Sequence, residues 1–132
     1  MRNKKKIAVI TGGAGFIGSH MVDLLLAKKY KVNVIDNLSG GHKKNLAHHK
    51  KNSDLKFEKI DICKLKKNHK FFKNVNFVFH FAGIGDIVPS IENPDNYMQT
   101  NIQGTVKVLE AARYNGIKKF VYSASASCYG LN

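Results

Sequence analysis

The sequence predicts an α/β fold, a doubly wound parallel sheet with helices on both faces. Three observations carry that prediction. Short apolar runs alternate with helically periodic segments from end to end, a glycine cluster closes the first run, and an aspartate closes the second. Such alternation joins parallel strands through right-handed crossovers. No internal repeat, low-complexity tract or linker interrupts it, so residues 1–132 read as one domain.

Each element follows from its local pattern. Ile7-Ala8-Val9-Ile10 is an apolar run bounded by glycines, as expected of a strand buried on both faces. From Phe16 the period becomes helical, with Ile17, Met21, Leu24 and Leu25 as the expected buried stripe and Lys28-Lys29 at the helix end. Val32 to Ile35 is a second strand, followed by the polar loop Asp36-Asn37-Leu38-Ser39-Gly40-Gly41. A short basic helix is expected over His42 to Lys51, a third strand over Leu55 to Ile60, and a weak helix over Ile62 to Phe72, with Phe71-Phe72 in the core. Phe77 to Phe81 is a fourth strand. Pro94 opens a long helix that Gly116 ends, its expected buried face carrying Tyr97 or Met98, Ile102, Val106, Leu109 and Ala112. Phe120-Val121-Tyr122 is a fifth strand leading into a serine-rich segment.

Composition excludes several classes. Twenty-two Lys and Arg against nine Asp and Glu give a formal charge of +13, which suits a nucleic-acid surface, an acidic membrane surface or simply a lysine-rich solvated one. The lysines are scattered pairs at segment ends, and arginine occurs only at Arg2 and Arg113, so solvated charge is the preferred reading and nucleic-acid binding the lesser one. Cys63 and Cys128 lack CxxC spacing and a histidine in zinc-ligand register, so they read as reduced thiols, and no metal site is predicted. The basic start at Met1 precedes an apolar run too short for an export signal, and no stretch reaches membrane-spanning length. A soluble, cytoplasmic protein is expected.

The chemistry is concentrated in the first strand-to-helix turn, Thr11-Gly12-Gly13-Ala14-Gly15-Phe16-Ile17-Gly18-Ser19. Gly12, Gly15 and Gly18 repeat at every third position, and Gly13, Gly15 and Gly18 also satisfy Gly-x-Gly-x-x-Gly. Glycines here allow a tight turn, close approach of backbone to a pyrophosphate, and close packing of helix on strand. The pyrophosphate then lies at a helix N-terminus, where unpaired amides and the helix dipole favour an anion. Asp36 follows about 20 residues on, at the end of the second strand, where a carboxylate accepts hydrogen bonds from ribose hydroxyls. Its charge would repel a 2′-phosphate, so NAD is expected over NADP.

At these residues the chain resembles the NAD-dependent epimerase/dehydratase family of extended short-chain dehydrogenase/reductases, and the resemblance continues along the sequence. It implies a Rossmann fold that stops after about the fifth strand, with the C-terminal substrate domain absent. It implies cofactor contacts from Gly12, Gly15, Phe16, Ile17 and Gly18, and from the loop carrying Asp36, Asn37, Ser39 and Gly40. Asp61-Ile62 resembles the pair that meets the adenine, although Asp61 also suits the cap of the next helix. Phe81-Ala82-Gly83 resembles the strand end beneath the ribose and nicotinamide, while His80 before it reads as a packed core histidine. Asn101 resembles the helix residue that steadies the active site. Ser123 matches a residue near the nicotinamide, and Ser125 matches the active-site serine.

The implied activity is that of a nucleotide-sugar epimerase, in which hydride passes reversibly between the sugar and NAD through a keto-sugar. The family's catalytic Tyr-x-x-x-Lys is expected beyond Asn132. Tyr114 to Lys118 has that spacing but is interrupted by Gly116 and lies upstream of Ser125, so it reads as a decoy. Gly85 stands where well-known epimerases carry a lysine, which leaves the sugar open. The nucleotide-sugar partner therefore belongs to the full enzyme, and a homodimer would pair the helix from about Pro94 to Asn115. The alternatives are a non-catalytic NAD-binding module and one half of a split enzyme.

Overall fold

In the computed structural model, which describes residues 4–130, five strands form one parallel sheet. They are β1 (Ile7–Thr11), β2 (Lys31–Asp36), β3 (Leu55–Lys59), β4 (Phe77–His80) and β5 (Lys119–Tyr122), in the order β3-β2-β1-β4-β5. The chain winds outward from β1 to β3, then returns across the sheet to lay β4 on the other side of β1. That reversal opens a crevice at the carboxyl ends of β1 and β4, where doubly wound sheets bind ligands.

Both faces of the sheet are covered, which is why β1 is apolar at successive positions. Ala8 and Ile10 pack with Val22, Leu25 and Leu26 of helix α1 (Phe16–Ala27), whereas Val9 faces the opposite core with Phe72, Val78 and Val108. The second face is closed by a long composite helix. It comprises α3 (Pro94–Tyr97), a π-helical stretch (Met98–Gly104) and α4 (Thr105–Tyr114), preceded by the short α2 (Ile87–Glu92).

Several expectations are corrected. On α1 the buried face is Gly18, Ser19, Val22, Leu25 and Leu26, whereas Ile17 and Leu24 are exposed. On the composite helix Gly104, Val108, Ala111 and Ala112 face the sheet, while Met98, Ile102, Val106 and Leu109 point outward. Both helices carry two apolar stripes, and the one with the smaller side chains lets the helix approach the strands closely. Residues 62–72 form two separate 3₁₀ turns, Ile62–Lys64 and Lys70–Phe72, because the chain must stretch from β3 back to β4. Their apolar residues still plug the core, with Phe72 fully buried. The basic stretch after β2 is likewise a 3₁₀ turn, Lys43–His49, and a short helix, α2, begins at Ile87. Among the described residues no helix is long and apolar enough to cross a membrane.

A buried polar line ties the layers together beside the crevice. The Thr105 hydroxyl donates to the Asn101 carbonyl at 2.7 Å, so it accepts from His80 Nε2 at 2.9 Å. His80 Nδ1 is then the acceptor for the Thr11 hydroxyl at 2.5 Å, and Ala82 N–H reaches Thr11 Oγ1 at 3.4 Å. His80 is wholly buried, as a packed core histidine should be, and burial lowers its pKa to about 4 from 6.5. The unfolded chain therefore takes up this proton first. The stability it represents is complete above pH 6.5 and is lost as pH falls from there to 4. The loss should approach about 3 kcal/mol. Denaturant unfolding at pH 7, 6, 5 and 4.5 should show this slope, and H80Q should flatten it relative to the parent chain.

Candidate functional site

The crevice is a cleft of about 360 Å³ at the carboxyl edge of the sheet. One wall is the turn from β1 into α1. Gly12 adopts φ +68°, and a Cβ there would lie 2.7 Å from the Ala82 nitrogen. A side chain is therefore excluded by conformation and by space together. Gly15 N–H donates to the Gly12 carbonyl at 3.1 Å and precedes α1. A Cβ on Gly18 would overlap that same carbonyl oxygen, so Gly18 serves packing of the helix on the turn.

The first-turn amides of Phe16, Ile17 and Gly18 have no intrahelical acceptor, and the first turn of α1 contains no acidic residue. The helix end is thus available to an anion. Phe16 and Ile17 do not line the cleft, and their side chains are exposed, so any contribution to an anion comes from their backbone.

Asp36 forms the next wall. Its carboxylate is buried to 7% exposure and anchored by two backbone amides, Ala14 N–H at 2.9 Å and Leu38 N–H at 2.7 Å. The bond to Leu38 holds that residue at φ +64°, an uncommon conformation for a leucine. A carboxylate has acceptor sites beyond these two bonds, so Asp36 can still receive vicinal hydroxyls. Asn37, Ser39, Gly40, Asp61 and Ile62 complete this side. Asp61 caps the following turn through Cys63 N–H at 2.9 Å and also lines the cleft.

Phe81, Ala82 and Gly83 form the floor beyond β4. Asn101 is absent from the lining. Its side-chain amide accepts from Ile84 N–H and donates to the Ile84 carbonyl, both at 2.9 Å, which pins the loop after β4 to the π-helical turn. Ser123 and Ser125 are exposed beyond β5 and lie outside the cleft lining. Tyr114 ends α4 and Gly116 turns the chain at φ +66°, so Tyr114 and Lys118 share no helical face, as the decoy reading requires.

Sequence reasoning passed over Ile35, Gly41, Ile60, Ile84, Asn96 and Thr100, which also line the cleft. Gly41 carried a signal. In the Gly40-Gly41 pair the second glycine is the constrained one, because its Cβ would lie 2.8 Å from the Ala14 carbonyl carbon and 3.0 Å from Asp36 Oδ2. Gly40 has open space around it. Asn96 and Thr100 were hidden because the helix that carries them reads in sequence only as a packing element.

Three comparisons bear on this arrangement. The NAD dependent epimerase/dehydratase family matches residues 8–132. The chain is 39% identical to the bifunctional protein GAL10 of Kluyveromyces lactis over 132 residues, 97% of this chain and 19% of that protein. Among solved structures it is similar to the UDP-N-acetylglucosamine 4-epimerase of Methanobrevibacter ruminantium M1 in complex with UDP-N-acetylmuramic acid. The TM-score is 0.89 and the identity 39%, covering 98% of this chain and 41% of that one. It is also similar to the UDP-glucose 4-epimerase of Brucella ovis in complex with NAD, with a TM-score of 0.83 and 32% identity over 96% of this chain and 38% of that one. The chain thus spans well under half the length of these relatives.

The glycine cradle can be tested without any ligand. Thermal and denaturant unfolding should show G18A destabilised by about 2–3 kcal/mol through overpacking against the Gly12 carbonyl. G41A should also be destabilised, and G40A should stay within about 0.5 kcal/mol of the parent.

Proposed function

This chain belongs to the NAD dependent epimerase/dehydratase family, and from that premise we propose that it is the NAD-binding part of a UDP-glucose 4-epimerase-like enzyme. The observation that carries the proposal is a single cleft uniting three features: a glycine turn that admits no side chain, the open N-terminus of α1, and the anchored carboxylate of Asp36. A dinucleotide needs those chemistries in that order, an anion site for pyrophosphate and an acceptor for ribose hydroxyls. The NAD complex of the Brucella ovis relative supports the same reading.

When bound, NAD supplies the hydride acceptor and donor that carries a sugar hydroxyl through a ketone and back. The residues of this chain bind and orient. The first-turn amides of Phe16, Ile17 and Gly18 hold the pyrophosphate, Asp36 accepts from the adenosine ribose, and Asp61-Ile62 flank the adenine. Phe81-Ala82-Gly83 support the ribose and nicotinamide, and Asn101 acts through Ile84 to keep that loop in place. Ser123 lies near the nicotinamide and Ser125 supports the sugar oxygen, in the setting of the whole enzyme. The UDP-N-acetylmuramic acid complex of the Methanobrevibacter ruminantium relative supports a nucleotide-sugar substrate. The outward stripe of Ile102, Val106 and Leu109 supports pairing of this helix across a homodimer. The free thiols of Cys63 and Cys128 support a cytoplasmic setting.

Calorimetry on the purified chain should show saturable NAD binding, with NADP at least about tenfold weaker, because a 2′-phosphate would meet the Asp36 carboxylate. D36A should weaken NAD and narrow that gap. A chain that is folded by circular dichroism but binds neither nucleotide would overturn the proposal. UDP-glucose should not be converted to UDP-galactose by this chain alone, and measurable turnover would place the catalytic pair within it.

A further inference from the structure

On the surface away from the cleft, three side chains from two elements converge. Asp23 lies on α1, and His48 and His49 end the 3₁₀ turn Lys43–His49. Both Nε2 atoms approach the same carboxylate oxygen, Asp23 Oδ1, at 2.8 and 2.7 Å. Successive residues of a 3₁₀ turn normally project about 120° apart. Here the two imidazoles instead lie side by side, with ring centroids 4.1 Å apart and planes tilted by 44°. The three potential ligand atoms lie within 4.8 Å of one another.

We propose that Asp23, His48 and His49 form a binding site for one divalent transition-metal ion of the zinc type. Two imidazole nitrogens and one carboxylate oxygen are a donor set that zinc and its neighbours prefer, whereas calcium and magnesium favour oxygen ligands throughout. Zinc bonds of about 2.0–2.1 Å in tetrahedral array place ligand atoms roughly 3.3 Å apart. The two hydrogen-bonded separations need to open by only about 0.5 Å, which small rotations of partly exposed side chains supply. The remaining positions face solvent and would be filled by water.

The ion would clamp the Lys43–His49 turn to the outer face of α1. That turn is already tied to the glycine segment, since His42 N–H and the Asn45 side-chain amide both donate to the Ala14 carbonyl at 2.9 Å. The sequence reading found no such site because Asp23 lies 25 residues from His48 and the adjacent histidines carry no ligand spacing of their own.

The test uses the full chain stripped with a chelator, titrated with Zn²⁺ by calorimetry at pH 7.5 and with Co²⁺ by visible absorption. One ion per chain should bind, raise the thermal midpoint, and give Co²⁺ bands without thiolate charge transfer. D23N should weaken binding about tenfold or more. H48A/H49A should abolish it, and C63S/C128S should leave it unchanged. H48Q with D23N decides the matter if the double alanine variant misfolds. The proposal is overturned if no saturable binding occurs, if binding survives the histidine and aspartate changes, or if it disappears with the cysteines.

Discussion

The close approach of Gly12 to the start of the loop after β4 sets the terms for everything around it. The turn after β1 must reverse within van der Waals contact of Phe81 and Ala82, at a backbone conformation that a side chain resists. Because it does, the amide end of α1 faces into the switch point of the sheet and not over its rim. Gly18 lets the helix settle on the Gly12 carbonyl, and Gly41 lets the second loop close behind Ala14. Three loops from distant parts of the chain thereby share one small volume. A methyl group at any of these contacts would push two of them apart.

Backbone constraints of this sort are local, and for that reason they were legible. The glycine spacing, the strand before it and the helix after it are contiguous, and Asp36 follows from the length of one helix plus one strand. The five strands were also legible, since a sheet covered on both faces demands uninterrupted apolar runs. The choice of helix face was not. Periodicity counts apolar residues without regard to size, and it selected Ile102, Val106 and Leu109 together with the buried Ala112, while passing over Val108 and Ala111. Close packing on strands favours the small residues, and only the tertiary arrangement reveals which stripe is used. The two 3₁₀ turns between β3 and β4 were missed for a related reason. Their conformation is dictated by the distance the chain must cover, which no local pattern encodes.

Asn101 shows how a side chain on the composite helix can steady a cleft without lining it. Its partner is the backbone of Ile84, so the residue shapes the site at one remove. His80 is the complementary case. A histidine in an apolar strand invites a catalytic reading, yet it spends both ring nitrogens on threonines of neighbouring elements. Its chemistry is to join β1, β4 and the composite helix with directional bonds where apolar contact alone would leave their relative height free.

The strand order carries a consequence for how the cleft comes into being. β1 lies at the centre of the sheet but pairs on one side with β2, its neighbour in sequence, and on the other with β4, with 69 residues separating Thr11 from His80. During synthesis the wall built from Gly12, Asp36 and Asp61 can form as soon as β1, α1, β2 and β3 have emerged, while the floor at Phe81–Gly83 waits for a long-range pairing. Loop-closure entropy makes that second step the slow one. The nascent chain therefore presents a half-built nucleotide pocket beside an unpaired edge of β1, an edge open to mispairing until β4 arrives.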